Sequence, residues 1–199
     1  MAEYSLQRRE VMAELLADRG DALMVAGLGS PVWDLAAVDH RDENFYVWGG
    51  MGGAAMIGLG IALSQPERKV WVVTGDGEAL MGMGSLATIA AQKPENLAVI
   101  VFDNEHYGET GMQPTVTGGL CDLPAIAKGA GIATSVSVVD QAGVGALKSA
   151  LADGPYPLFA NIKVHRINDK PVLPPRDGVY SKHRFRVAVL GERSAMHPY

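Results

Sequence analysis

Residues 70–108 read VWVVTGDGEALMGMGSLATIAAQKPENLAVIVFDNEHYG, and the fold turns on them. Val70 to Thr74 is a short β-branched and aromatic run of the kind that forms a buried strand, and Gly75-Asp76-Gly77 is a sharp turn out of it. Leu80, Met83, Leu86, Ala87 and Ala90 recur at helical spacing, which predicts one helix running to Gln92, and Lys93-Pro94-Glu95-Asn96 stops it. Leu97 to Phe102 is a second continuous apolar run. A strand, a helix and a strand in so short a span imply parallel pairing through a right-handed crossover, so both strands end at the same edge of the sheet.

That topology brings two side chains together. Asp76 follows the first strand and Asn104 follows the second, 28 residues later, so a carboxylate and an amide oxygen emerge side by side at the carboxyl edge, where open α/β sheets bind ligands. Oxygen donors suit Mg²⁺ or Ca²⁺ rather than zinc, and one carboxylate is too little charge for a cage made by protein alone. Phosphate oxygens would complete the shell. Gly75 and Gly77 let the backbone approach such a group, and the free N–H groups that open the next helix favour an anion. The alternative is a Gly-flanked turn in which Asp76 only caps that helix.

The same residues resemble the motif of thiamine-diphosphate-dependent enzymes: Gly-Asp-Gly, an apolar helix, a buried strand, then Asn104 within FDNEHYG. The resemblance implies Mg²⁺ held by Asp76, Asn104 and the carbonyl of His106, and thiamine diphosphate against Ser30, Gly49, Gly50, Met51, Gly75, Asp76, Gly77, Glu78, Ala79, Asn104, His106, Tyr107 and Gly108. In this family a G-x-[bulky apolar]-G segment supports the aminopyrimidine, and Gly49 and Met51 occupy the matching positions. Glu109, Thr110 and Gln113 either meet the substrate and move a proton or simply form the loop.

Elsewhere the pattern is that of a single α/β domain. With 199 residues, 48% hydrophobic and 20% charged, the chain can bury a full core. No apolar run reaches the roughly 18 residues of a membrane span, and the mixed, charged N-terminus is unlike a signal peptide, so a cytoplasmic location is expected. Cys121 is the single cysteine, which excludes an internal disulfide and a cysteine-rich iron–sulfur site. A net charge of −5 argues against a generic nucleic-acid surface.

In chain order the expected elements are a helix at Leu6 to Asp18, a strand at Ala22 to Ala26, a helix entered through Gly27-Leu28-Gly29-Ser30-Pro31, a strand at Phe45 to Trp48, and a helix to about Ser64. Ser30 is either a hydroxyl donor to the diphosphate or an N-cap. Gly50, Gly52 and Ala55 also match the G-x-G-x-x-A dinucleotide fingerprint, but a ribose-binding acid at Asp76 needs no flanking glycines and leaves Asn104 without a role. After the core motif, residues 107–115 are too polar and Gly-rich for a strand and should form a loop over the cofactor. A helix at Asp122 to Gly129, a strand at Ile132 to Val139, a helix at Asp140 to Leu151 and a strand at Pro157 to Val164 complete a doubly wound, six-stranded, mainly parallel sheet with helices on both faces. Residues 1–164 form the diphosphate-binding domain. Residues 165–199, with the basic segment Lys182 to Arg186, form an extension packed on the domain or on a partner; a substrate-binding role is the alternative for that segment.

FYVWGGMG, the GDG turn, DNEHYGETGMQPT and the late Arg-Phe-Arg resemble the family of sulfopyruvate and phosphonopyruvate decarboxylases, in particular its small β subunit and the related C-terminal half of the longer chain. Ser30-Pro31-Val32 departs from the Ser-Arg-Glu of relatives. The resemblance implies a non-oxidative decarboxylase of a small 2-oxo acid, with a carboligase as the alternative and a nicotinamide-dependent dehydrogenase as a third reading. It also implies a separate pyrimidine-binding α subunit that supplies the catalytic glutamate, together with further copies of this chain.

Overall fold

The structure, a computed structural model, describes residues 4–167 and 169–196. In chain order the elements are α1 (Arg8–Leu16), β1 (Leu23–Ala26), α2 (Ser30–Val38), β2 (Asn44–Tyr46), α3 (Ala54–Ser64), β3 (Val70–Gly75), α4 (Asp76–Met81), α5 (Ser85–Gln92), β4 (Leu97–Asp103), β5 (His106–Tyr107), β6 (Gln113–Pro114), a 3-10 turn (Val116–Gly118), α6 (Leu123–Ala130), β7 (Thr134–Val138), α7 (Gln141–Asp153), β8 (Leu158–Lys163), α8 (Gly178–Leu190) and α9 (Glu192–Met196). Six strands form one sheet in the order β2-β1-β3-β4-β8-β7, and every pairing is parallel.

Alternation along the strands assigns the two faces. Met24, Ala26, Trp71, Val73, Ile100 and Phe102 pack against α1, α2 and α7, while Leu23, Val25, Val70, Val72, Val99 and Val101 pack against α3, α5 and α6. The central strands are buried on both faces, which is why β3 and β4 read as unbroken apolar runs. Close packing extends to Gly58 of α3, where an added Cβ would lie 2.2 Å from a methyl of Val72.

The chain leaves β1 toward β2 on one side and returns to β3 on the other. The switch in direction therefore opens a crevice beyond the carboxyl ends of β1 and β3, the place where open sheets of this kind take ligands.

Two expectations are corrected. The helix predicted to run through to Gln92 is two helices, because Gly82, Met83 and Gly84 interrupt it. Gly82 lies so close to Gly52 that a Cβ would come within 2.2 Å of the Gly52 carbonyl oxygen, so backbone contact rather than helical pitch governs this point. The segment expected as a plain loop contains the antiparallel hairpin β5–β6, with His106 opposite Pro114 and Tyr107 opposite Gln113. The tail contains helices: α8 buries Phe185, whose ring meets Phe45 edge-on at 5.3 Å, and Arg184 donates to the Asn44 carbonyl at 3.1 Å. Asp122 and Asp140 cap α6 and α7, each accepting from the backbone N–H three residues on.

Candidate active site

The crevice holds a cleft of about 140 Å³ whose walls come from three segments: Leu28 to Pro31 after β1, Gly75 to Glu78 after β3, and Asn104 to Thr110 after β4, with Met51 and Arg8 closing the sides. Asp76 is the first residue of α4 and is 2% exposed, a costly place for a carboxylate. Burial pushes its pKa up to about 6, the nearby Asp103 adds to the rise, and hydroxyl bonds from Thr115 and Thr117 oppose it. Both hydroxyls go to Oδ2. Asn104, at the end of β4, is also buried; its Oδ1 accepts from the His106 N–H at 3.0 Å and its carbonyl lies 2.9 Å from His106 Nδ1. Glu105, between them, adopts the left-handed conformation at φ 62°, a turn held by its own N–H donating to Asp103 Oδ1 at 3.0 Å.

These donors fit a hard divalent cation. They are all oxygen, and the positive charge nearest the paired carboxylates, Lys163, has its Nζ bonded to Asp103, Glu105 and the Thr117 carbonyl. A cation at Asp76 would offset the burial of that carboxylate. No group of three His, Cys, Asp or Glu side chains converges as a metal cage among the described residues, so phosphate oxygens and a main-chain carbonyl would have to complete the shell. A diphosphate also finds room: a Cβ built on Gly75 or Gly49 meets nothing within 4 Å. Gly77 is glycine for a different reason, since a Cβ there would come within 2.5 Å of the Tyr107 ring.

Of the residues singled out from sequence, Ser30, Met51, Gly75, Asp76, Gly77, Glu78, Asn104, His106, Tyr107, Glu109 and Thr110 line the cleft. Ser30 is the first helical residue of α2, the N-cap being Gly29, so the reading of Ser30 as an N-cap is corrected. Glu78 points its carboxylate inward: Oε1 accepts from Gly52 and Ala54 N–H, both at 3.2 Å, and Oε2 from the Thr74 hydroxyl at 2.9 Å. Its task is to join the loop before α3 to the turn after β3. Ala79 faces an inner cavity beside Gly52 and Leu86, and Gly49, Gly50 and Gly108 flank the cleft walls without lining them. Gln113 is exposed, does not line the cleft, and is bonded to Thr110 at 2.8 and 2.9 Å across the hairpin. Glu109 stands over the mouth, its carboxylate 3.1 Å from where a Cβ on Gly29 would be, and burial raises its pKa. Sequence reasoning passed over Thr115, Thr117, Asp103 and Lys163; the charged and hydroxyl residues at the ends of otherwise apolar strands were the available signal.

Residues 35–159 match the family described as thiamine pyrophosphate enzyme, C-terminal TPP binding domain. The chain belongs to that family. Over 170 residues it is 40% identical to sulfopyruvate decarboxylase subunit beta of Methanothermobacter thermautotrophicus, covering 84% of this chain and 88% of the relative. The subunit beta of Methanococcus maripaludis is 36% identical over 92% of this chain and 98% of its own length. Phosphonopyruvate decarboxylase of Streptomyces viridochromogenes is 45% identical over 68% of this chain, but that stretch is 34% of the longer relative. Among solved structures, benzoylformate decarboxylase from Polynucleobacter necessarius shares the fold, with a TM-score of 0.68 and 22% identity over 84% of this chain and 34% of that one, so this thiamine pyrophosphate enzyme domain spans about a third of that protein. Membership of the family overturns the dinucleotide reading of Gly50, Gly52 and Ala55. Gly50 and Gly52 lie in the loop that Glu78 ties down, and Ala55 lies in the first turn of α3. No helix among the described residues is long and apolar enough to cross a membrane.

Proposed function

We propose that this chain is the diphosphate-binding subunit of a two-subunit, thiamine-diphosphate-dependent, non-oxidative decarboxylase of a small 2-oxo acid of the sulfopyruvate or phosphonopyruvate type. The observation that carries the proposal is the convergence of Asp76 and Asn104 at the floor of a glycine-walled cleft on the switch point of the sheet. Similarity to β subunits along nearly their whole length supports both the reaction class and the need for a second chain.

Asp76, the Asn104 side chain and the His106 carbonyl would hold Mg²⁺, and Ser30 with the Gly75 to Gly77 turn would hold the diphosphate. Gly49 and Met51 would support the aminopyrimidine; Met51 is 38% exposed in this chain and would be covered once cofactor and partner are in place. When bound, thiamine diphosphate supplies the electron sink that a 2-oxo acid needs in order to lose CO₂. The chain's own contribution is to orient that group, exclude water and place Glu109 where it can hold or deliver a proton at its carboxyl oxygen. Glu109 is exposed in this chain, and the partial desolvation it does undergo shifts its pKa upward. The glutamate that activates the cofactor would come from the partner chain, and the location is expected to be cytoplasmic.

The test is reconstitution. Thiamine diphosphate should be retained with Mg²⁺ when this chain is purified with its α-type partner, and a panel of 2-oxo acids should yield free aldehyde. A hydroxyketone product would point to carboligation instead. Turnover by this chain alone at about 1 per second or faster would show that no second subunit is needed.

A further inference from the structure

The two ligand side chains of the metal reading lie just past the ends of neighbouring strands, Asp76 opening α4 after β3 and Asn104 following β4, so both fall outside the β3–β4 pairing. The β3–β4 ladder ends at the Gly75–Phe102 pair, and β4 goes on to pair Asp103 with Lys163 of β8. Beyond that point two residues from the segment after β6 touch both ligand segments: Thr115, whose hydroxyl bonds Asp76 and whose N–H donates to the Glu105 carbonyl at 2.8 Å, and Thr117, which also reaches Asp103. The Thr117 hydroxyl lies 3.2 Å from Asp76 Oδ2 and 2.8 Å from Asp103 Oδ1. Asp103 Oδ1 in turn receives the Glu105 N–H, so it holds the left-handed turn with Asn104 on one side and His106 on the other.

Thr117 is itself held firmly. It is 4% exposed, its hydroxyl is 2.8 Å from that of Thr115, and its carbonyl accepts from Lys163 Nζ at 2.9 Å. The ammonium of Lys163 also bonds Asp103 and Glu105, each at 2.9 Å, and Asn161, two residues earlier on β8, donates to the same Asp103 oxygen at 2.9 Å. The single proton of the Thr117 hydroxyl can go to either carboxylate, with the shorter contact to Asp103, and its polar oxygen lies between them; a methyl there would remove that donor and leave an apolar gap beside both.

We propose that Thr117 is a positioning residue that sets the separation between Asp76 and Asn104, with Lys163 anchoring it, so that the pair is spaced for a divalent cation. The proposal rests on the metal-diphosphate reading given above. Partners of this kind, one bond removed from a metal ligand, change metal affinity without touching the metal.

Magnesium chloride titrated at fixed thiamine diphosphate into the complex with its partner subunit, followed by calorimetry, tests it. Thr117→Val should raise the Mg²⁺ concentration for half-maximal cofactor binding by about tenfold or more. Thr117→Ser, which keeps the hydroxyl, should stay near the wild type. Far-UV circular dichroism and the melting temperature of the metal-free protein, measured alongside, separate this from a stabilising role: a side chain that only stabilises the loop would lower the melting temperature and leave the half-saturation point in place. An unmoved half-saturation point in Thr117→Val, or an equal loss in Thr117→Ser, overturns the proposal. Cofactor binding by the wild type without any dependence on Mg²⁺ overturns the metal reading and this inference with it.

Discussion

Replacing Asp76 by asparagine isolates the cost of burying the carboxylate proposed to bind the metal while no metal is there. The buried carboxyl has its pKa raised from an ordinary 3.8 to about 6. At 1.36 kcal/mol for each tenfold change in proton affinity, that gap corresponds to about 3 kcal/mol. The sign follows from which state holds the proton more tightly. The folded state does, so this group favours folding in full below about pH 4, and that contribution is lost as pH rises through about 6. The amide introduced by Asp76→Asn would have no charge to desolvate and still offers an oxygen to the Thr115 and Thr117 hydroxyls. In chelator, urea unfolding of wild type and Asp76→Asn should therefore give a stability difference that grows with pH across this window, reaching up to about 3 kcal/mol in favour of the variant at pH 8. Taking the difference removes the other carboxylates, which titrate in both proteins. Adding Mg²⁺ with thiamine diphosphate should reverse the order by stabilising the wild type alone. A stability difference that stays flat between pH 4 and pH 8 would refute the account of Asp76 as a buried carboxylate awaiting a cation.

Gly27→Ala should destabilise the fold by about 1–3 kcal/mol, because the new Cβ falls 1.9 Å from Glu78 Oε2 and the buried carboxylate must move; chemical denaturation measures this. Glu109→Gln should lower decarboxylation by about 100-fold or more while Mg²⁺-dependent cofactor binding stays as in the wild type, since Glu109 is a cleft-mouth residue apart from the metal donors. Equal losses of binding and rate would assign it to cofactor retention instead.

The strands were legible because the sheet is parallel and central. Both faces of β3 and β4 are buried, so composition alone marks them, and the turns that follow carry the Asp76 and Asn104 pair. The helix break at Gly82 was not, because its cause is the backbone of Gly52, thirty residues earlier in the chain, and helical periodicity has no access to such a contact. The Thr117 and Lys163 contacts were hidden for the same reason. Thr117 lies 41 residues from Asp76 and Lys163 58 residues from Glu105, and each residue taken alone reads as an ordinary loop or strand-end side chain. Glu78 was legible by position, since its place after GDG puts it in the cleft wall, but the bonds of its buried carboxylate to the backbone of the neighbouring loop were not.

That carboxylate makes the cleft a gauge of fixed length. The loop bearing Met51 and the turn bearing Asp76 follow separate strands, yet Glu78 and the tight Gly52–Gly82 approach join them into one body, so the two walls proposed to support the ends of the cofactor cannot shift independently. A cofactor analogue with one methylene fewer between ring and diphosphate could then satisfy either the metal end or the pyrimidine end, but not both. Its affinity should fall in a single step to that of the better half alone, and Glu78→Ala, by letting the two walls adjust, should narrow the gap between analogue and native cofactor.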